Sequence, residues 1–446
     1  MNLKCCIIIF IVIGFSRDYI FTDNYKITNS ENDQRYPEVK IKDDIIHLTW
    51  VSMNGNNKNI MYSKSEDNGN SFSEPIQVNL LDNHIVAYSQ SGPKIDSYAN
   101  KVFISYMDDR NGLWSIYMNA SYDFGETWQE EELISDTDFS NGYQDFKIDS
   151  NGDLHLIYYN YDSNYHLDDV RYRFSNSDNF FNPSFPVGIV TDEMEPCDCC
   201  QPKLEIDINN DIYIAYRNNN QSFRDTYLAI KRQNENLFNE YYQISDYNDF
   251  IDYCPSSGPA FKINEDEIAV AFSVYNNQNI YSSISTIDDL SFNNFINVNP
   301  DFNSFQNYPY AALDDDLFLV WVDFDGWDVY YGRLDIESNS MLNIQKVNND
   351  LTDAIQHDPI IHKYNESLYI FWSDKRDAEF QIYFSKSIDS EFQLGDINQD
   401  SLIDILDIIS IVNIIFINEY NFLADINSDS IINVLDIIAI VNIILN

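Results

Sequence analysis

Residues 37–63 carry three short runs separated by polar turns: Pro37-Glu-Val-Lys-Ile41, Ile46-His-Leu-Thr-Trp50 and Ile60-Met-Tyr-Ser63. The alternation in the second run is the period-two pattern of a strand with one buried face. The opening run returns as Pro93-Lys-Ile95, Pro202-Lys-Leu-Glu-Ile206, Pro259-Ala-Phe-Lys-Ile263, Pro309-Tyr-Ala-Ala-Leu313 and Pro359-Ile-Ile361, and once without its proline as Asp145-Phe-Lys-Ile-Asp149. Successive copies stand 50 to 57 residues apart. They lead into further alternating strands that end on an aromatic residue, such as Val102–Tyr106, Ile212–Tyr216, Leu317–Trp321 and Leu368–Trp372. Seven such units, with no helical periodicity between them, predict an all-β propeller of six or seven blades with about four strands each. End units of repeat folds are often atypical, which is why both counts are carried. A tandem of β-sandwiches would not bring one strand pattern back at this step.

After the third strand, the first two units read Ser65-Glu-Asp67-Asn-Gly69-Asn-Ser71-Phe72 and Ser121-Tyr-Asp123-Phe-Gly125-Glu-Thr127-Trp128. This is the Asp-box pattern, a hairpin turn whose Asp bonds its own backbone and whose aromatic packs into the blade. Worn copies occur at Ser175–Phe181, Thr286–Phe292 and Ser387–Phe392. Residues 35–392 therefore resemble the Asp-box propellers of the sialidase-like superfamily. The Asp box is a folding device in that family, so the resemblance speaks to fold before activity.

The chain has 446 residues, 72 acidic and 26 basic, for a formal net charge of −46. That excludes a nucleic-acid binder held by phosphate contacts, and it favours divalent cations such as calcium as partners. Aromatic residues make up 15% of the chain, too much apolar material for a disordered acidic polymer. The basic start Met1–Lys4, the apolar run Cys5–Phe15 and the small residues Gly14 and Ser16 predict a secretory signal over 1–16, then a linker over 17–34 and an extracellular or cell-surface protein. About eleven apolar residues cannot span a bilayer, so no membrane span is expected after cleavage. Cys5 and Cys6 leave with the signal.

In a propeller, the loops leading into the first strands and those joining strands two and three open on one face, at the axis end where ligands bind. These loops carry Arg35 and Tyr36, Asp108, Asp109 and Arg110, Arg217, Arg224 and Asp225, Asp323, Asp325 and Trp327, Gln356 and His357, and Asp374, Arg376 and Asp377. Several arginines on one face of a chain poor in cations point to an anionic or polar ligand. The bland reading of Arg110 and Arg376 is an ion pair with the neighbouring loop Asp. His47 and His155 lie inside alternating strands and read as core residues, whereas His357 is carried as a site candidate.

The resemblance implies a sialidase-like glycoside hydrolase acting on a polysaccharide or glycoconjugate. It further implies three arginines clamping a carboxylate, a Tyr–Glu nucleophile pair and an Asp acid. Arg35-Tyr36-Pro37 matches the family's early element only in part, and no nucleophile can be aligned among 32 tyrosines. The alternative is a glycan-binding or adhesive propeller that uses the same face.

Cys197, Cys199, Cys200 and Cys254 sit on loops leading into adjacent units, and with Arg217 and Arg224-Asp225 they resemble a C-x-C-C element of some bacterial sialidase-like proteins. Disulfides pairing Cys254 with one member of the trio are expected in an exported protein, with a soft-metal site as the alternative.

Asp396, Asn398, Asp400, Leu402, Asp404 and Asp407 recur 29 residues later as Asp425, Asn427, Asp429, Ile431, Asn433 and Asp436. They occupy positions 1, 3, 5, 7, 9 and 12 of a calcium loop, with a backbone carbonyl at position 7. Each loop runs into a short Ile-rich helix, and residues 393–446 closely resemble a type I dockerin. The resemblance implies about two bound calcium ions and a cohesin-like partner read through Ile405, Leu406, Val434 and Leu435. Ser401 and Ser430 stand where a calcium loop usually has Gly, which is expected to weaken affinity.

Overall fold

The computed structural model describes residues 19–21, 23–164, 166–176, 183–190, 194–300, 304–350, 352–388, 394–398, 402–417, 421–427 and 431–445. The expected signal segment and Asp400 and Asp429 of the acidic loops lie outside them. Two compact units are present: Thr22–Lys386, and a smaller one holding the carboxyl-terminal residues.

The larger unit is a β-propeller of seven antiparallel sheets, one for each repeat. The first blade is Asp33–Lys42, Ile45–Asn54, Asn57–Ser65 and Ile76–Gln77, paired in chain order. The innermost strands of the other blades are Lys94–Tyr98, Asn141–Ile148, Lys203–Ile206, Ala260–Ile263, Gln306–Leu313 and Gln356–Tyr364, so every repeated proline segment marks an inner strand. Second strands are buried on both faces between neighbouring blades, which is why they read as near-continuous apolar runs. Trp50, Trp321 and Trp372 on these strands are fully buried.

Of residues 17–34, expected as a linker, residues 23–34 lie in the larger unit. Tyr25 and Lys26 pair with Phe384 and Tyr383 and supply the outer strand of the seventh blade. The reason is physical: among the described residues no strand follows the third strand of that blade to pair with it, and an unpaired edge would be left bare.

The Asp-box turns form as the pattern requires. Asp67 accepts hydrogen bonds from the Ser71 amide at 2.9 Å and hydroxyl at 2.6 Å, and Ser65 Oγ accepts from the Gly69 amide at 2.9 Å. The second box repeats these bonds around Asp123. Their aromatics reach across to the preceding blade. Phe72 lies edge-on to Phe371 and Phe384, and Trp128 edge-on to Tyr62 at 5.0 Å.

In the smaller unit, helices α1 (Ile405–Ile417) and α2 (Val434–Leu445) pack through Ile411 and Ile440, residues at the same place in the two copies of the repeat. No helix among the described residues is long and apolar enough to cross a membrane.

Candidate functional site

In four blades the inner strand carries a β-bulge at the same place. Pairing shifts between Arg35 and Glu38, Gly142 and Asp145, Asn307 and Tyr310, and His357 and Ile360. The extra residue in each adopts a positive φ: Tyr36 at 60°, Tyr143 at 56°, Tyr308 at 58° and Asp358 at 55°. Non-glycine residues in this region cost about 1–3 kcal/mol each and cluster where a fold aims side chains at a ligand. Three of them, Tyr36, Tyr308 and Asp358, line one cavity of about 50 Å³ at the axis.

Asp358 is the hub of this mouth. It accepts from His357 Nδ1 at 2.8 Å and Ser89 Oγ at 3.2 Å on one oxygen, and from Arg35 Nη2 at 3.2 Å on the other. Burial alone would raise its pKa, but the His357 and Arg35 charges outweigh burial and hold the carboxyl well below the usual range. The phenols respond in the opposite sense. Burial, reinforced by the Asp358 charge, pushes Tyr36 up to about 12 and raises Tyr308, so both stay protonated at neutral pH. The His357 ring lies 4.6 Å from that of Tyr308 and stacks beside Trp327 at 6.0 Å.

Glu38, Lys94 and Lys203 lie on the cavity floor. Glu38 is held by Lys94 at 2.5 Å and by the Tyr310 hydroxyl at 2.6 Å. Burial opposes its ionisation, yet Lys94 and Lys203 bring its pKa down to about 2. Lys203 donates to the Gln201 amide oxygen at 3.0 Å, and burial with the nearby Lys94 lowers its pKa to about 7. Below them a channel of about 300 Å³ follows the axis, lined by side chains two residues further along the inner strands, among them Lys40, Asp96, Lys147 and Glu205. Lysines and acids from neighbouring blades alternate and pair there, as in Lys40–Asp96 at 2.6 Å and Lys147–Glu205 at 3.2 Å.

Of the five candidate arginines, Arg35 bonds Asp358 at the mouth. Arg110 is bound by Asp108 and Glu131 within its own blade, and its guanidinium covers the Tyr117 ring at 4.0 Å. Arg376 repeats this with Asp374 at 2.7 Å and the Tyr383 ring at 4.4 Å. Asp109 pairs with His84, and Asp377 with Lys26 and the Tyr383 hydroxyl. Arg217 is buried beside the Ser273 carbonyl, and Arg224 beside the Cys197 sulfur. Arg110 and Arg376 are thus taken within their own blades, because a D-x-R loop satisfies its own guanidinium before any ligand arrives. His47 and His155 are core residues, each bonded to a buried tyrosine. Sequence reasoning had no means to pick out Tyr308 and Lys203, because one is among 32 tyrosines and the other sits in a strand repeat.

Cys199 and Cys254 form a disulfide, as expected for Cys254 with a member of the trio. Cys197 and Cys200 are buried thiols.

In the smaller unit, Asp396, Asp407, Asp425 and Asp436 are buried. Asp407 accepts from the amides of Ile397, Asn398 and Asp404, and Asp436 from those of Asn427 and Asn433, which closes each loop on its position-12 carboxylate. Residues 395–446 include seven Asp and one Glu but no Lys, Arg or His. Carboxylates in a module without a basic residue, with an all-oxygen donor set, fit a hard cation such as calcium. Ile405, Leu406 and Ile409 are exposed, and so are their repeats Val434, Leu435 and Ile438.

No family model matches the chain, and no curated protein is similar to it. Solved structures are similar. An ulvan lyase of polysaccharide lyase family PL25, bound to a GlcA(1-4)Rha3S glycan, superposes with a TM-score of 0.56 at 9% identity, over 79% of this chain and 93% of the other. The polysaccharide lyase Uly1 gives 0.51 at 10% identity, over 85% and 93%. The NanB sialidase of Streptococcus pneumoniae gives 0.42 at 11% identity, over 81% and 70%. At these identities the likeness is one of fold, and the fold is a seven-bladed β-propeller.

Proposed function

We propose that the propeller cleaves an acidic polysaccharide at its axial mouth, and that the smaller unit is a calcium-loaded dockerin-like module that docks it to a cohesin-like partner outside the cell. The observation that carries the catalytic reading is the His357–Asp358 pair, presented on a bulge beside Tyr308 and above the Lys203 floor. The cavity is small enough to select a substituent of a sugar ring. A uronate carboxylate fits it beside Lys203, whose lowered pKa an incoming anion would raise again.

Both carboxylates lining the mouth, Asp358 and Glu38, are held ionised, so neither carries the proton that a hydrolase's general acid must give. The proton carriers are His357 and the tyrosines, which favours β-elimination over the hydrolysis implied by the sialidase resemblance. His357, oriented by Asp358, takes the proton α to the uronate carboxylate. The C4–O bond breaks as the C4–C5 double bond forms, and the leaving oxygen takes the Tyr308 proton. Transfer from His357 back to Tyr308 resets the pair. Fold neighbours that are polysaccharide lyases support this reading.

Two features support the docking reading: acidic loops without a basic residue, and exposed apolar triplets duplicated by the repeat. Incubation with uronate-containing polysaccharides, followed by ultraviolet absorbance and reducing-end assay, tests the propeller. Absorbance of an unsaturated uronate is the expected result. Reducing ends without it would mean hydrolysis, and binding without either would mean a lectin-like propeller.

A further inference from the structure

The mouth's chemistry leaves unused a cluster of four sulfurs on its wall. Cys197 Sγ lies 2.8 Å from Cys200 Sγ and 3.5 Å from Cys199 Sγ, and Cys199 is bridged to Cys254. Arg224 Nη1 donates to Cys197 Sγ at 3.0 Å. Burial would raise the Cys197 pKa, but the Cys200 hydrogen bond and the Arg224 charge lower it, while Cys200 is raised well above its ordinary value. One thiol of the pair is thereby prepared as a thiolate and the other as its proton donor. At the far end, Cys254 is exposed and its sulfur lies 3.1 Å from Ser256 Oγ, a hydroxyl placed to stabilise a departing thiolate.

A soft metal would use the same sulfurs, but Arg224 already places a positive charge on Cys197 and Arg217 adds a second nearby. Guanidinium groups repel a metal cation and favour a nucleophilic thiolate. We propose that the four cysteines form a thiol–disulfide exchange site, in which the bridge migrates from Cys199–Cys254 to Cys197–Cys200. In the first step Cys197 thiolate attacks Cys199 Sγ. The 197–199 bond forms, the 199–254 bond breaks, and Cys254 leaves as a thiolate that takes up the proton Cys197 had released. In the second step Cys200 loses its proton and attacks Cys197. The 197–200 bond forms, the 197–199 bond breaks, and Cys199 leaves and is protonated. Two thiols and one disulfide stand on each side, so no oxidant or reductant is consumed.

The exchange frees the loop 254–258 from its covalent tie. That loop forms part of the mouth's surroundings: the Gly258 amide donates to Gln90 Oε1 at 2.8 Å, and its missing Cβ would lie 2.1 Å from the Gln201 carbonyl oxygen. Gln90 and Gln201 both line the mouth. The exchange therefore sets how firmly one wall of the site is held.

The test is time-resolved alkylation of the full-length, natively oxidised chain at mildly alkaline pH, with the bridged pairs mapped by mass spectrometry. The expected result is both bridges in exchange, with Cys254 becoming alkylated as Cys197 and Cys200 become protected. Cys197→Ser should leave only the 199–254 bridge, Cys200→Ser should accumulate the 197–199 bridge, and Arg224→Lys should slow exchange about tenfold. Far-ultraviolet circular dichroism checks that each variant keeps its sheets. Alkylation of Cys197 and Cys200 with Cys254 never released would overturn the proposal, as would stoichiometric zinc or copper protecting both thiols.

Discussion

The hydroxyl of Tyr62 stands 2.1 Å from the point that a side-chain carbon at Gly125 would occupy. Tyr62 belongs to the first blade and Gly125 to the Asp-box turn of the second, where φ is 86°. Trp128 of the same turn closes on the other side of that tyrosine. The Asp box thus fastens neighbouring blades to each other, and its glycine is demanded both by backbone angle and by space.

Gly125→Ala should therefore destabilise the propeller by about 3 kcal/mol, with left-handed strain and steric overlap adding. Urea denaturation measures it. In a Tyr62→Leu background the penalty should shrink, because the ring carbons at 2.5 and 2.7 Å from that point go with the hydroxyl. An equal penalty in both backgrounds would place the cost in the turn alone.

At the mouth, His357→Ala and Tyr308→Phe should each lower kcat by about 10²–10⁴-fold, since both move protons in the proposed elimination. Lys203→Met should act mainly on KM, because it removes a cation that receives the carboxylate in ground and transition states alike. Arg110→Lys, far from the mouth, should leave turnover unchanged. Steady-state kinetics on an acidic polysaccharide separates these outcomes.

His47 is buried against Tyr62 and its pKa falls to about 4 through burial and the nearby Lys64. Below pH 6.5 the unfolded chain takes up a proton that the folded chain refuses, so stability drops as pH falls from 6.5 towards 4 and then levels off. The loss from this residue is about 3 kcal/mol at full extent. His47→Gln should flatten that part of the profile of denaturation midpoint against pH. A variant with the same slope as the wild type would assign the dependence to other groups.

Calcium titration of the full chain should show about two ions in the smaller unit. Asp396→Ala should remove one and Asp425→Ala the other, and chelation should lower helical circular dichroism while the propeller's strand signal persists. Helicity unchanged in excess chelator would leave the repeat as a structural hairpin.

Seven blades were legible because their inner strands share a proline and an alternation that survive in all units but one. The Asp boxes were legible as local hydrogen-bond patterns. The bulges were not. A residue before proline is normally extended, so Tyr36, Tyr308 and Asp358 read as ordinary strand, and only packing around the axis turns them left-handed. His357 was reached through loop position, whereas Arg110 and Arg376 misled because charge on a face says nothing about prior partners. Asp108 and Asp374, two residues before Arg110 and Arg376, were the visible clue that those partners were already present.

Tyr25 and Lys26 lie against the last blade's third strand, and Thr28 bonds Gln381 across 353 residues of sequence. A ring clasped by its own two ends has no complete edge-to-edge closure until nearly the whole propeller has been synthesised. Until then, Phe384 and its neighbours offer an open template to any strand nearby, including the amino-terminal segment of a second molecule. So distant a pairing must meet its loop-closure cost before its contacts reward it, which makes the amino-terminal segment of a neighbouring chain a ready competitor for the same edge.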